Sequence, residues 1–146
     1  MSAVRLDGKA CAADLEERLK QRIAACSVQP HLAVIIVGDD PASHVYVNNK
    51  IRSCERLGIR STHIELPEDT EESVVADYIH SMNEQEDLHG ILIQSPLPKH
   101  MDEESLTELI NPLKDVDGFH PMNVGNLSSG YESSIPCTPL GCYLLI

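Results

Sequence analysis

The hydrophobic pattern of this chain changes period several times, and each change predicts an element. Leu15, Leu19 and Ile23 recur at helical spacing among alternating charges, which predicts an amphipathic helix over residues 9–25. After Pro30 comes an unbroken apolar run from Leu32 to Val37, the pattern of a strand buried on both faces of a parallel sheet. Gly38 then opens a turn, Asp40 suits an N-cap and Pro41 suits the first helical position. The helix that follows should run to about Leu57, with Gly58 as its stop and Val47, Ile51 and Cys54 as its buried stripe.

The alternation repeats downstream. A second strand is expected over residues 60–66, with Thr62, Ile64 and Leu66 on one face. Thr70 should cap a helix that turns Val74, Val75, Tyr78, Ile79 and Met82 to the core. Gly90-Ile91-Leu92-Ile93 reads as a third, short buried strand. Asp102 should open a helix through Ile110 that Asn111-Pro112 closes. Near the end, Thr138 and Pro139 read as N-cap and first position of an apolar helix, so the chain reads as a fragment of something longer. A βαβαβ order of this kind implies an α/β fold: a three-layer, doubly wound domain with a mainly parallel, right-handed sheet.

Composition narrows the class. The 146 residues suit one domain, and 42% hydrophobic with only 3% aromatic residues implies an aliphatic core. A formal net charge of −12 opposes binding to nucleic acid or an anionic membrane. No apolar run is long enough to span a bilayer, and the start at Met1-Ser2-Ala3-Val4-Arg5 lacks the apolar centre of a signal peptide. Five scattered cysteines without a C-x-x-C pair read as reduced thiols of a cytoplasmic protein. The dispersed histidines show no ligand spacing, so no structural metal is expected.

Candidate chemistry gathers where ligands bind in open α/β sheets, beyond the carboxyl ends of the strands. Tyr46 and Lys50 stand one turn apart after the first strand and share a helical face. A lysine on a helix is most often a solvated charge, yet this one borders a buried stripe. Desolvation would make such an amine a usable base near neutral pH, and a nearby carboxylate would oppose that shift. Gln94-Ser95-Pro96-Leu97-Pro98 follows the third strand; Gln94 could satisfy backbone groups there or serve a ligand. In Lys114-Asp115-Val116-Asp117-Gly118-Phe119, the aspartates could stabilise a turn at Gly118 or present a carboxylate to a ligand.

Together, Gly38-Asp39-Asp40-Pro41-Ala42-Ser43 with Tyr46 and Lys50, Gly90 to Pro98, Lys114 to Phe119, and Pro136-Cys137-Thr138-Pro139 resemble the bifunctional methylenetetrahydrofolate dehydrogenase/methenyltetrahydrofolate cyclohydrolase family. The resemblance covers nearly the whole chain from Leu6. It implies oxidation of methylenetetrahydrofolate with NADP, then hydrolysis of the methenyl product to formyltetrahydrofolate, within one-carbon supply to purine biosynthesis.

By the resemblance, Lys50 is the central catalytic group, Tyr46 stacks on or orients the folate, Gln94 hydrogen-bonds the lysine, and Asp117 holds the pterin edge. Val47, Asn48, Asn49, Ile93 and Ser95 join these four as the expected substrate-binding set. Ser95 departs from the apolar residue the family commonly has there. Residues 1–137 would form the folate-binding catalytic domain and residues 138–146 the start of a helix leading to an NADP-binding Rossmann domain. No G-x-G-x-x-G occurs here, so the cofactor site is expected beyond Ile146. Tetrahydrofolate derivatives and a second copy, as a homodimer, are the implied partners. A receiver-like regulatory module is the competing class, but it needs an aspartate where this chain has Gln94. A non-catalytic folate-binding or dimerisation domain is the other alternative.

Overall fold

A computed structural model describes residues 6–146. Its centre is β1 (His31–Val37), flanked by β2 (Arg60–Leu66) and β3 (Gly90–Ile93) in a parallel sheet of order β2-β1-β3. Ile35 pairs with Ile64 on one side and Ile93 on the other, so the strands end close together and their exit loops share one edge. The unbroken apolar run of β1 follows from this central position, because both of its faces are covered. Ala33, Ile35 and Val37 pack with Val75, Ile79 and Met82 of α3 (Glu72–Asn83) and Leu106 of α4 (Glu103–Glu108). Val34, Ile36 and Leu92 pack with Val47 and Ile51 of α2 (Pro41–Leu57). Helices thus lie on both faces, and each buried Ile or Val contributes about 1.5–3 kcal/mol.

Local rules explain most boundaries. The Asp7 carboxylate accepts from the N–H groups of Lys9 and Ala10, starting α1 (Gly8–Ala24). This helix buries no residue fully and touches α2 through the ion pair of Arg56 with Glu16, 2.8 Å apart. Gly58, at φ +77°, ends α2 in the left-handed conformation.

Several expectations are corrected. Glu71, not Thr70, flanks α3, and no side chain caps it; the Thr70 carbonyl accepts from His100 Nε2 instead. Val74 and Tyr78 are 40% and 39% exposed, since Val75, Ile79 and Met82 already fill the stripe that meets the sheet. Thr62 shares the face of Ile64 and Leu66 but is exposed, at the open end of edge strand β2. α4 stops at Glu108, where Leu109 and Ile110 tighten into i→i+3 bonds. α5 (Pro121–Ser128) was not expected; the His120 ring caps it and Pro121 occupies its first turn. α6 (Cys137–Leu145) starts one residue after Pro136, so Thr138 lies inside it rather than capping it. Pro139 is tolerated there because first-turn N–H groups need no helical partner. No helix among the described residues is long and apolar enough to cross a membrane.

Candidate active site

The site is assembled at the carboxyl edge of the sheet. Gly38 leaves β1 at φ +86°, a conformation that favours glycine, while its N–H still bonds the Leu66 carbonyl of β2 at 2.9 Å. Asp40 then caps α2: its Oδ2 accepts from Ser43 N at 2.7 Å and Ser43 Oγ at 2.8 Å. These bonds hold the Asp40 carboxyl below the usual carboxylate range. They also fix the direction of α2, and hence where Lys50 stands.

Lys50 Nζ donates to Gln94 Oε1 at 2.9 Å. Gln94 is the first residue past β3, and its N–H remains bonded to the Ile35 carbonyl of β1 at 2.8 Å. Strand alternation puts Leu92 and Gln94 on the α2 side of the sheet, which is why this amide meets the lysine. Gln94 Nε2 donates to the Ser95 carbonyl at 2.7 Å, so the amide oxygen is the end presented to Lys50. Ser43, buried in the first turn of α2, has its Oγ 3.4 Å from the same Ser95 carbonyl.

The loop after α4 divides its two aspartates between different tasks. Asp115, 3% exposed, is consumed by structure. Its Oδ1 accepts from Asp117 N at 3.2 Å and Gly118 N at 2.9 Å; its Oδ2 accepts from His120 N and Asn123 Nδ2, each at 2.9 Å. Lys114 is likewise consumed, its ammonium bonding the carbonyls of Met82, Asn83 and Gln85 at 3.0, 2.7 and 2.7 Å. Gly118, at φ +71°, passes so close to Ser134 that an added Cβ would lie 2.8 Å from its carbonyl oxygen. This scaffold leaves the Asp117 side chain for the cleft. Burial raises the Asp117 carboxyl above the usual carboxylate range, the Lys50 ammonium pulls it back down, and Asp115 pushes it up. The pull from Lys50 places Asp117 in the same electrostatic neighbourhood as the Lys50–Gln94 pair.

The remaining expected substrate-binding residues separate by where their side chains go. Tyr46 is 64% exposed on the Lys50 side of α2, with a ring open to a flat ligand. Ile93 is buried and lines the cleft beside Asp117. Ser95 turns toward α4, where its hydroxyl donates to Glu103. Val47 is withdrawn, buried in the core against Val34, Ile36 and Leu92. Asn48 sits about 160° around α2 from Lys50 and faces away from the site, and Asn49 about 100°. Sequence reasoning missed the structural bonds of Ser43 and Asn123 and the place of Glu103 and Phe119 on the cleft wall. The one legible signal was Ser43, a hydroxyl three residues after an N-cap aspartate.

A family model described as the tetrahydrofolate dehydrogenase/cyclohydrolase catalytic domain matches residues 6–117. The bifunctional protein FolD of Pelagibacter ubique is 50% identical over 147 residues, covering 98% of this chain and 52% of the relative. The crystal structure of the FolD methylenetetrahydrofolate dehydrogenase/cyclohydrolase from Campylobacter jejuni superposes with a TM-score of 0.91 at 44% identity, over 96% of this chain and 51% of that one. The Trypanosoma brucei dehydrogenase-cyclohydrolase, solved with NADP cofactor and an inhibitor, gives a TM-score of 0.87 at 32% identity, over 94% and 49%. The chain therefore spans about half the length of the curated relatives it matches.

Proposed function

The chain belongs to the tetrahydrofolate dehydrogenase/cyclohydrolase family, and on that premise we propose that its residues bind a tetrahydrofolate one-carbon unit and move the protons of methenyl hydrolysis. The observation that carries this reading is the 2.9 Å bond between Lys50 and Gln94, with Asp117 close enough for its carboxyl to respond to the lysine. In the hydrolysis, the oxygen of water bonds to the methenyl carbon and the Lys50 amine takes the proton released. The Gln94 carbonyl accepts from the resulting ammonium. A ring C–N bond then opens as the new hydroxyl becomes the formyl carbonyl; the proton the hydroxyl loses is balanced by the one the freed nitrogen takes, and the formyl group is left on the other nitrogen. The Asp117 carboxylate accepts two N–H bonds from the amino-pyrimidine edge of the pterin. The exposed ring of Tyr46 gives the flat ligand a stacking surface.

For the whole protein the proposal is wider: oxidation of methylenetetrahydrofolate with NADP, followed by this hydrolysis, in a cytoplasmic homodimer that supplies formyl groups to purine biosynthesis. Residues 1–137 serve as the folate-binding catalytic domain, and residues 138–146 begin the connecting helix. The residues described do not fit a dinucleotide diphosphate. The turns after β1 and β2 carry Asp39 and Asp40, and Glu68 and Asp69, and Glu68 packs against Gly38; the longer exit of β3 carries Lys99 and His100 but no glycine. We place the NADP site in the half of the family's length that this chain does not span.

Replacing Lys50 with Met in the full-length protein tests the reading. Methenyltetrahydrofolate hydrolysis, followed by loss of the methenyl chromophore, is expected to fall by about 10²–10⁴-fold. The melting temperature should stay at the wild-type value, since Lys50 packs into no core cluster. Near-normal hydrolysis by a well-folded Lys50→Met protein would overturn it and favour a purely folate-binding domain.

A further inference from the structure

The turn that presents Asp117 hangs on a buried carboxylate, and one support of that carboxylate comes from outside the loop. Asp115 Oδ1 accepts from Asp117 N and Gly118 N, and Oδ2 accepts from His120 N and Asn123 Nδ2. The first three donors are main-chain N–H groups of the same loop. The fourth is a side chain of α5, and Asn123 is only 6% exposed. Its Nδ2 also donates to the Pro112 carbonyl at 2.9 Å, so one amide ties together two points of the loop, residues 112 and 115. Ser133 Oγ stands behind the amide, 2.9 Å from the Asn123 carbonyl and 3.2 Å from its Oδ1. Asn123 itself does not line the Asp117 crevice.

At 3% exposure the Asp115 carboxylate has little access to water, so a donor it loses must be replaced from within the loop. Of its four bonds, the one to Asp117 N is the longest, at 3.2 Å against 2.9 Å for each of the others. It is the bond most easily given up when the carboxylate turns toward its remaining donors. Any such turn moves the backbone of Asp117, and the side chain with it. A two-point grip on a flat heterocycle is sensitive to small displacements, because both bonds need their length and angle at once.

We propose that Asn123 is a positioning residue for the folate site: through Asp115 it holds the Asp117 backbone where the carboxylate can take both N–H groups of the pterin edge. The inference rests on the folate reading above, with Asp117 as the acceptor. It gives α5 a part in ligand binding although none of that helix's residues lines the crevice.

Calorimetric titration of the full-length protein with 5-formyltetrahydrofolate tests this, since the dissociation constant reports the site and the stoichiometry reports the folded fraction. Asn123→Ala is expected to raise the dissociation constant about tenfold at wild-type stoichiometry. Ser133→Ala, which removes only the hydroxyl behind Asn123, should raise it in the same direction but less. In an Asp117→Asn background, adding Asn123→Ala should weaken binding no further, because Asn123 acts through that carboxylate. The proposal is overturned if Asn123→Ala keeps the wild-type dissociation constant while the stoichiometry falls or holds, as a merely structural residue would. It is overturned equally if the losses of Asn123→Ala and Asp117→Asn simply add. Should Asn123→Ala fail to fold, Ser133→Ala decides, and a wild-type dissociation constant there overturns the proposal. If Asp117→Asn binds the ligand as tightly as wild type, or wild type fails to bind it, the folate reading itself has failed and this inference falls with it.

Discussion

At the scale of single residues, the site turns on how two aspartates two positions apart acquire opposite jobs. Asp115 meets four donors from its own loop and from α5, which leaves it nothing to offer a ligand. Asp117 makes the turn with its N–H and keeps its carboxylate for the cleft, where burial disfavours the charge. A carboxyl whose folded-state value is raised binds its proton more tightly in the folded than in the unfolded chain. Folding is therefore favoured while it is protonated, and that contribution is lost as pH rises through the folded-state value. Asp117→Asn removes the burden, so its melting temperature at pH 7 should exceed that of wild type by a few degrees. The gain should vanish below the ordinary aspartate value of 3.8, while folate affinity falls. Thermal melts at both pH values decide it; a mutant no more stable at pH 7 would sink the assignment. Lys50 and Gln94 were legible in the sequence because helix and strand periods place them. The split between Asp115 and Asp117 was not, since identical side chains are sorted only by which backbone N–H groups the folded turn presents.

At the scale of elements, the amino edge of the sheet is bound by a polar latch as specific as the site at the other edge. His31 begins β1 and is 7% exposed; its Nε2 bonds Thr62 Oγ1 of β2 at 2.8 Å. Its Nδ1 lies 2.6 Å from Arg60 Nη2 and 3.1 Å from the Asp87 carbonyl, and its backbone N–H donates to His89 Nδ1 at 3.1 Å. Arg60 cannot give up its proton, so it donates and Nδ1 accepts, which requires neutral His31 with hydrogen on Nε2. Burial, reinforced by the charge of Arg60, lowers the His31 value below the ordinary 6.5, although the Asp87 carbonyl and carboxylate oppose this. For a base so depressed, stability is complete above the unfolded value. It declines as pH falls, because the unfolded chain takes up the proton first. Between pH 7.5 and 5.5 wild type should lose melting temperature, and His31→Gln should lose distinctly less; equal slopes would refute the latch. Such bonds cannot be read from spacing, since the partners are 29 and 31 residues away in sequence. The three strands and α2 could be read, because apolar runs, Pro41 and Gly58 are local signals. Helix α5 could not: Gly125 and two asparagines erase its periodicity, and it forms because the His120 ring caps it and Asn123 bonds the Asp115 carboxylate.

At the scale of the whole molecule, the two edges of the sheet divide stability from chemistry, and the charge distribution decides what the chemical edge can hold. A neutral pterin edge suits the Asp117 carboxylate, and the cationic methenyl form suits the molecule's net charge of −12. A dinucleotide diphosphate does not. It needs backbone N–H groups at a glycine-rich turn with no anion beside them. Gly38 is the sole glycine in the three strand-exit turns, and Asp39, Asp40 and Glu68 line its cavity, three carboxylates against the one lysine, Lys99, and His100. Two negative charges about 4 Å apart repel by about 4 kcal/mol near a protein surface, which erases the gain from one helix N-terminus. The 146 residues alone should therefore form no NADPH from methylenetetrahydrofolate and NADP, and should show no saturable NADP binding by fluorescence or calorimetry. The same residues should still bind 5-formyltetrahydrofolate, with an affinity that Asp117→Asn reduces. Folate binding without nucleotide binding would assign the two ligands to separate halves of the family's length. Saturable NADP binding by this chain would instead mean that the acidic turns rearrange around the phosphates, and the division of labour argued from charge would be wrong.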